Sequence, residues 1–133
     1  MRSSSTRTEG KRRCALGLLL FTLGLTISVQ RTRLGVLSGY APQPVQMLTK
    51  LVRAHGNTAE YAPFLAVLFL YLGAQHPPAW QLWCMAGATA CRLLLVLGLL
   101  AWPSMSKPNP ARAVAALGTY AFGAALCVAV LVR

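Results

Sequence analysis

The chain has 133 residues, a formal charge of +11, 56% hydrophobic residues and only two acids, Glu9 and Glu60. A soluble domain of this size carries more acid and a more even polar surface. A soluble nucleic-acid binder sets its bases along one amphipathic face, whereas here they stand between long apolar runs, so the composition points to a multi-pass membrane protein in contact with lipid and excludes nucleic acid as a partner.

Residues 1–13 (MRSSSTRTEGKRR) are basic and serine-rich, with nothing to bury, and are expected to form a disordered tail. Followed by an apolar run, they resemble the front of a signal or transit peptide. With no small-x-small cleavage site after Val29, an uncleaved anchor is the expectation, with a cleaved organellar presequence as the alternative. Cys14–Val29 is the first span, about 24 Å of helix, closed by Gln30, Arg31, Thr32 and Arg33, whose arginines read as interfacial snorkelling. Gly35–Pro44 is punctuated as a loop, and Pro44 suits the start of a second helix running to about Gly73, with Pro63 inside it. A short uncharged turn, Gly73–Ala79, leads to the third span, with Trp80, Trp83 and Trp102 near its ends. Pro103–Pro110 is the third loop. The fourth span follows, rich in alanine and glycine, a composition that allows close helix contact. The expected architecture is an all-α membrane protein: a four-transmembrane-helix bundle over residues 14–133, with spans at about 14–30, 45–74, 79–101 and 111–132.

Polar groups inside these spans carry the functional signal. At about 100° per residue, Arg53, Asn57 and Glu60 share one face of the second helix, continued by Phe64, Val67 and Tyr71, with Tyr61 beside them. Arg92 lies deep in the third span, where an arginine costs roughly 2.5–3.5 kcal/mol on insertion scales, so it is expected to face the bundle and be paired. Its expected partner is Glu60, from the same or a neighbouring subunit. That pair reads equally as a structural tie between helices or as part of a ligand site. Cys14, Cys84, Cys91 and Cys127 all lie in apolar runs without a CxxC. With His55 placed in the polar turn before the second span and His76 in a loop, no metal site is expected.

The segment RAHGNTAEY (Arg53–Tyr61), followed by Pro63, resembles the second-helix signature of the MAPEG family, membrane-associated proteins of eicosanoid and glutathione metabolism. KPNPARAV (Lys107–Val114) at the start of the last helix extends the similarity, which is greatest to the family's uncharacterised bacterial-type branch. The resemblance implies a homotrimer holding glutathione between subunits, with a lipophilic second substrate entering from the bilayer. It implies glutathione contacts from Arg31, Arg53, Asn57, Glu60, Tyr61 and Arg92. Arginines suit its carboxylates, Glu60 its ammonium group and Asn57 its amides. For the family's thiolate-activating arginine, which lies near the third loop, Arg112 is the first candidate and Lys107 the second, a poorer bidentate partner. The tyrosine or histidine a turn past the arginine in the family's third helix, and the tyrosine after it, correspond here to Leu95 and Leu99, so the binding half of the site is better supported than the catalytic half.

The implied activity is glutathione transferase or peroxidase. A non-catalytic protein of the same fold is the alternative. A small multidrug-type transporter fits less well, because its membrane carboxylate belongs in the first span, whereas Glu60 opens the second. Basic residues divide equally between the two sides of the bundle, so charge bias does not choose an orientation; the resemblance places the odd-numbered loops in the cytosol. The membrane is endoplasmic reticulum or organellar for a eukaryotic chain and the inner membrane for a bacterial one.

Overall fold

The computed structural model describes residues 4–35, 46–102 and 109–132. It contains α1 (Ser4–Leu34), α2 (Gln46–Gly73), α3 (Ala79–Ala101) and α4 (Pro110–Leu131), with no strand among the described residues. Lys107, most of the expected first loop and the expected helix start near Pro44 lie outside the described residues.

The first helix is longer than its apolar stretch. It begins at Ser4, so residues 4–13 of the segment expected as a tail are helical and belong to α1. Propagating an existing helix adds one hydrogen bond per residue without a new nucleation cost, and no proline interrupts this segment. The helix ends where Gly35 turns left-handed (φ +65°) and its N–H donates to the Thr32 carbonyl at 3.4 Å. The hydroxyls of Thr22, Thr26, Ser28 and Thr32 donate to carbonyls one turn back, at 2.6–3.1 Å. They therefore present no unsatisfied donor to an apolar surround. Leu18, Phe21, Leu25 and Val29 form the outward stripe of this helix.

α2 and α3 form the centre of the bundle. α1 packs chiefly on α2 and α4 chiefly on α3, while α1 and α4 do not meet among the described residues. Two glycines set the α3–α4 approach: a Cβ on Gly118 would overlap the Cys91 sulfur, and one on Gly87 would press into the Phe122 ring at 2.5 Å. Asn109 caps α4 by accepting from the N–H groups of Ala111 (2.9 Å) and Arg112 (3.4 Å), and its amide donates to the Gly98 carbonyl of α3 at 2.9 Å. At the same end of the bundle, Lys50 Nζ donates to the Trp102 carbonyl at 2.6 Å, fastening α2 to the C-terminus of α3. α3 and α4 are each long and apolar enough to cross a membrane.

The core divides into two apolar clusters. One gathers Leu65, Phe69 and Leu72 of α2 with Met85 of α3 and Leu126 of α4. The other gathers Leu48, Leu51 and Ala54 of α2 with Leu95, Val96 and Leu99 of α3 and Ala115 of α4. Between the clusters, each of α2, α3 and α4 carries polar residues: Asn57, Thr58 and Tyr61; Thr89 and Arg92; Thr119 and Tyr120. A polar layer therefore crosses the middle of the bundle.

Candidate functional site

Arg92 anchors this layer. Its side chain is 1% exposed and points into the bundle, as the cost of a lipid-facing guanidinium requires. One terminal nitrogen donates to Asn57 Oδ1 at 2.6 Å and the other to the Asn57 backbone carbonyl at 3.3 Å. The guanidinium also lies over the Tyr61 ring, 5.0 Å from its centroid. Arg92 Nε is buried and has no hydrogen-bond partner among the described residues.

The expected Arg92–Glu60 pair does not form within the chain. No ion pair involving Glu60 occurs among the described residues, and Glu60 is exposed. The reason is angular. Tyr61, four residues past Asn57, lies about 40° to one side of it and Glu60 about 60° to the other. Arg92 approaches on the Tyr61 side, so a neutral amide and a ring face accept the charge that was expected to meet a carboxylate.

The α2 stripe is the outward face of its helix. Arg53 is exposed, and Phe64, Val67 and Tyr71 are 59%, 60% and 49% exposed. Only Asn57, half-buried, reaches from that face into the bundle. Of the expected site residues, the structure thus brings Asn57, Tyr61 and Arg92 together and leaves Arg53 and Glu60 on the adjoining outer face. Arg31, half-buried in the last turn of α1, and Arg112, half-buried in the first turn of α4, belong to the basic end of the bundle. Arg112 packs beside Gly98, whose distance from Arg92 along α3 is about 9 Å. It does not enter the Arg92 cluster.

Several contributors have no warning in the motif pattern. Tyr120 of α4 meets Tyr61 of α2: the Tyr61 hydroxyl donates to the Tyr120 oxygen at 3.3 Å, with ring centroids 5.8 Å apart and tilted by 54°. The available signal is a phenol in the middle of a span made mostly of small and aliphatic residues. His55 is not in a turn before the second span but within α2, against Gly24 of α1, where an added Cβ would lie 3.3 Å from its Nε2. The two tyrosines open onto a cleft of about 230 Å³ between α2 and α4, lined also by Phe64, Leu65, Thr119, Gly123, Ala124 and Cys127. Leu95 and Leu99, 6% and 5% exposed, are committed to the apolar core and bring no hydroxyl to this layer.

Chemically, the arrangement offers a fixed cation, an amide, two phenols and an apolar cleft, with a carboxylate and a second arginine on the adjoining outer face. No group of three or more metal-binding side chains occurs among the described residues. No curated protein and no solved structure matches the chain. The MAPEG family matches it over residues 14–132, nearly its whole length. A four-helix membrane bundle with a buried arginine held by the second-helix asparagine is thus the form this sequence takes, and the chain belongs to the MAPEG family.

Proposed function

We propose that this protein is a multi-pass integral membrane protein that binds glutathione between subunits of a homotrimer and acts as a glutathione transferase or peroxidase on lipophilic electrophiles. The observation that carries the reading is the position of Glu60. It stands halfway along α2, on an outward face shared with Phe64 and Val67. A carboxylate exposed there in a bilayer is costly unless a neighbouring subunit or a ligand supplies its partner.

The residues fit glutathione in kind. Arg53 and Arg31 suit its carboxylates, Glu60 its ammonium group and Asn57 its amides, while Nε of Arg92, without a partner among the described residues, leaves one buried donor for an incoming acceptor. When bound, glutathione supplies a nucleophilic sulfur. The protein's own groups would orient the tripeptide, with Arg112 (or Lys107) as the cation nearest in role to the sulfur, and keep water from the apolar side.

The test is equilibrium binding of glutathione to detergent-solubilised protein. Saturable binding is expected, and it is expected to be lost in Arg53→Ala and Glu60→Gln; unchanged binding in both variants rules this site out. A second reading, a non-catalytic protein of the same fold, is favoured by the buried Leu95 and Leu99. It predicts no turnover above a denatured control across a panel of electrophiles and hydroperoxides.

A further inference from the structure

α1 and α2 run antiparallel, and their contacts fix the height of each residue along the bundle. Leu16 packs with Leu65, Phe69 and Leu72 of α2, whereas Leu23 and Ile27 pack with Leu48 and Leu51. Gly24 lies beside His55. At 1.5 Å per residue, Lys11 stands about 20 Å from Gly24 and Arg7 about 26 Å, level with Leu68 and Leu72 of α2. That end of the bundle is apolar: α2 from Phe64 to Gly73 and α3 from Ala79 to Met85 carry no charged residue. The first helix therefore brings basic residues to a level where its neighbours are uncharged, with Lys11 about 8 Å short of the end of α2.

The helix also sets which way these positions face. Leu18, Phe21 and Leu25 are exposed, and Leu16, Leu23 and Ile27 are buried. At about 100° per residue, positions 7 and 11 fall within about 40° of Leu25, on the exposed side. Glu9, the one acid of α1, falls opposite, within about 20° of Leu16, and does not share the face of Arg7 and Lys11. A base at this level avoids hydrocarbon either by extending toward the headgroups or by drawing a headgroup inward. In both cases its counter-ion is a lipid phosphate. In phosphatidylcholine that phosphate is already matched by the lipid's own ammonium group; in an acidic phospholipid it is not.

We propose that the lipid-facing side of α1 is a binding site for an acidic phospholipid, with Arg7 and Lys11 taking its phosphate and Leu18 and Phe21 its acyl chain. The dimensions suit a lipid of one leaflet. Lys11 and Phe21 are about 15 Å apart along the helix, half of a hydrocarbon core about 30 Å thick. Charge complementarity supplies the selectivity, and the exposed apolar line below the two bases supplies a surface that a soluble anion would not use.

This site goes beyond the proposed function and does not depend on it, so its test uses no glutathione. Full-length protein in phosphatidylcholine nanodiscs receives a trace of phosphatidic acid with a diazirine at mid-chain, or phosphatidylcholine with the same chain. Labelling of α1 around Leu18 to Leu25 is expected, about 25-fold stronger for the acid, or about fivefold per base. Arg7→Gln and Lys11→Gln are each expected to lower that preference about fivefold, and Arg7→Lys to keep it. Arg33→Gln, an exposed base at the other end of α1, is expected to leave it unchanged. The proposal is overturned if the two lipids label equally, or if the preference survives Arg7→Gln and Lys11→Gln combined. It is overturned if Arg33→Gln removes the preference, which would put the anion at the opposite end. Displacement by millimolar inorganic phosphate overturns it as well, since the site would then take a soluble anion. Absence of α1 labelling by either lipid does the same, because another chain would then cover this face.

Discussion

Removing the acceptor that holds Arg92 tests the polar layer directly. In Asn57→Ala, the guanidinium loses its 2.6 Å bond to Oδ1 but keeps the 3.3 Å bond to the backbone carbonyl. A hydrogen bond to a charged group contributes about 1.5–3 kcal/mol, and a side chain that is 1% exposed has no water to replace it. The expected loss is therefore about 2–3 kcal/mol. Arg92→Met removes the charge together with its desolvation cost, so Asn57→Ala added on that background is expected to change stability little. The coupling across the cycle is then about 2 kcal/mol. Reversible unfolding in mixed micelles, by titration with a denaturing detergent, measures all four proteins. Neutral hydrogen bonds between membrane helices average about 0.6 kcal/mol in such cycles. A coupling at or below that value would refute the reasoning, because the Arg92–Asn57 contact would then be no more than an ordinary neutral pair.

Two further outcomes follow from the helix contacts. Lys50→Met leaves the Trp102 carbonyl without its donor and is expected to cost about 1–2 kcal/mol, with faster amide hydrogen exchange confined mainly to the last turn of α3. Gly118→Ala brings a methyl group onto the Cys91 sulfur and is expected to destabilise by about 1–3 kcal/mol; Cys91→Ala in the same chain should restore most of that loss, measured as the thermal midpoint in detergent.

The class of protein and the number of its helices are legible in the sequence, because hydrocarbon imposes a coarse rule. Long apolar runs separated by basic and proline-containing turns have few other stable forms. The inward orientation of Arg92 follows from the same rule, applied to a single guanidinium. The identity of its partner does not follow. Choosing between Asn57 and Glu60 needs the angle at which α3 meets α2, about 60° of rotation around one helix, and periodicity within a single helix does not contain that angle. Tyr120 and Lys50 become visible only when helices distant in sequence are placed side by side, since each acts on a residue of another helix. The sequence alone determined what had to leave water and what had to stay out of lipid; packing decided which polar groups meet, because the direction of a contact depends on how two helices cross rather than on the composition of either.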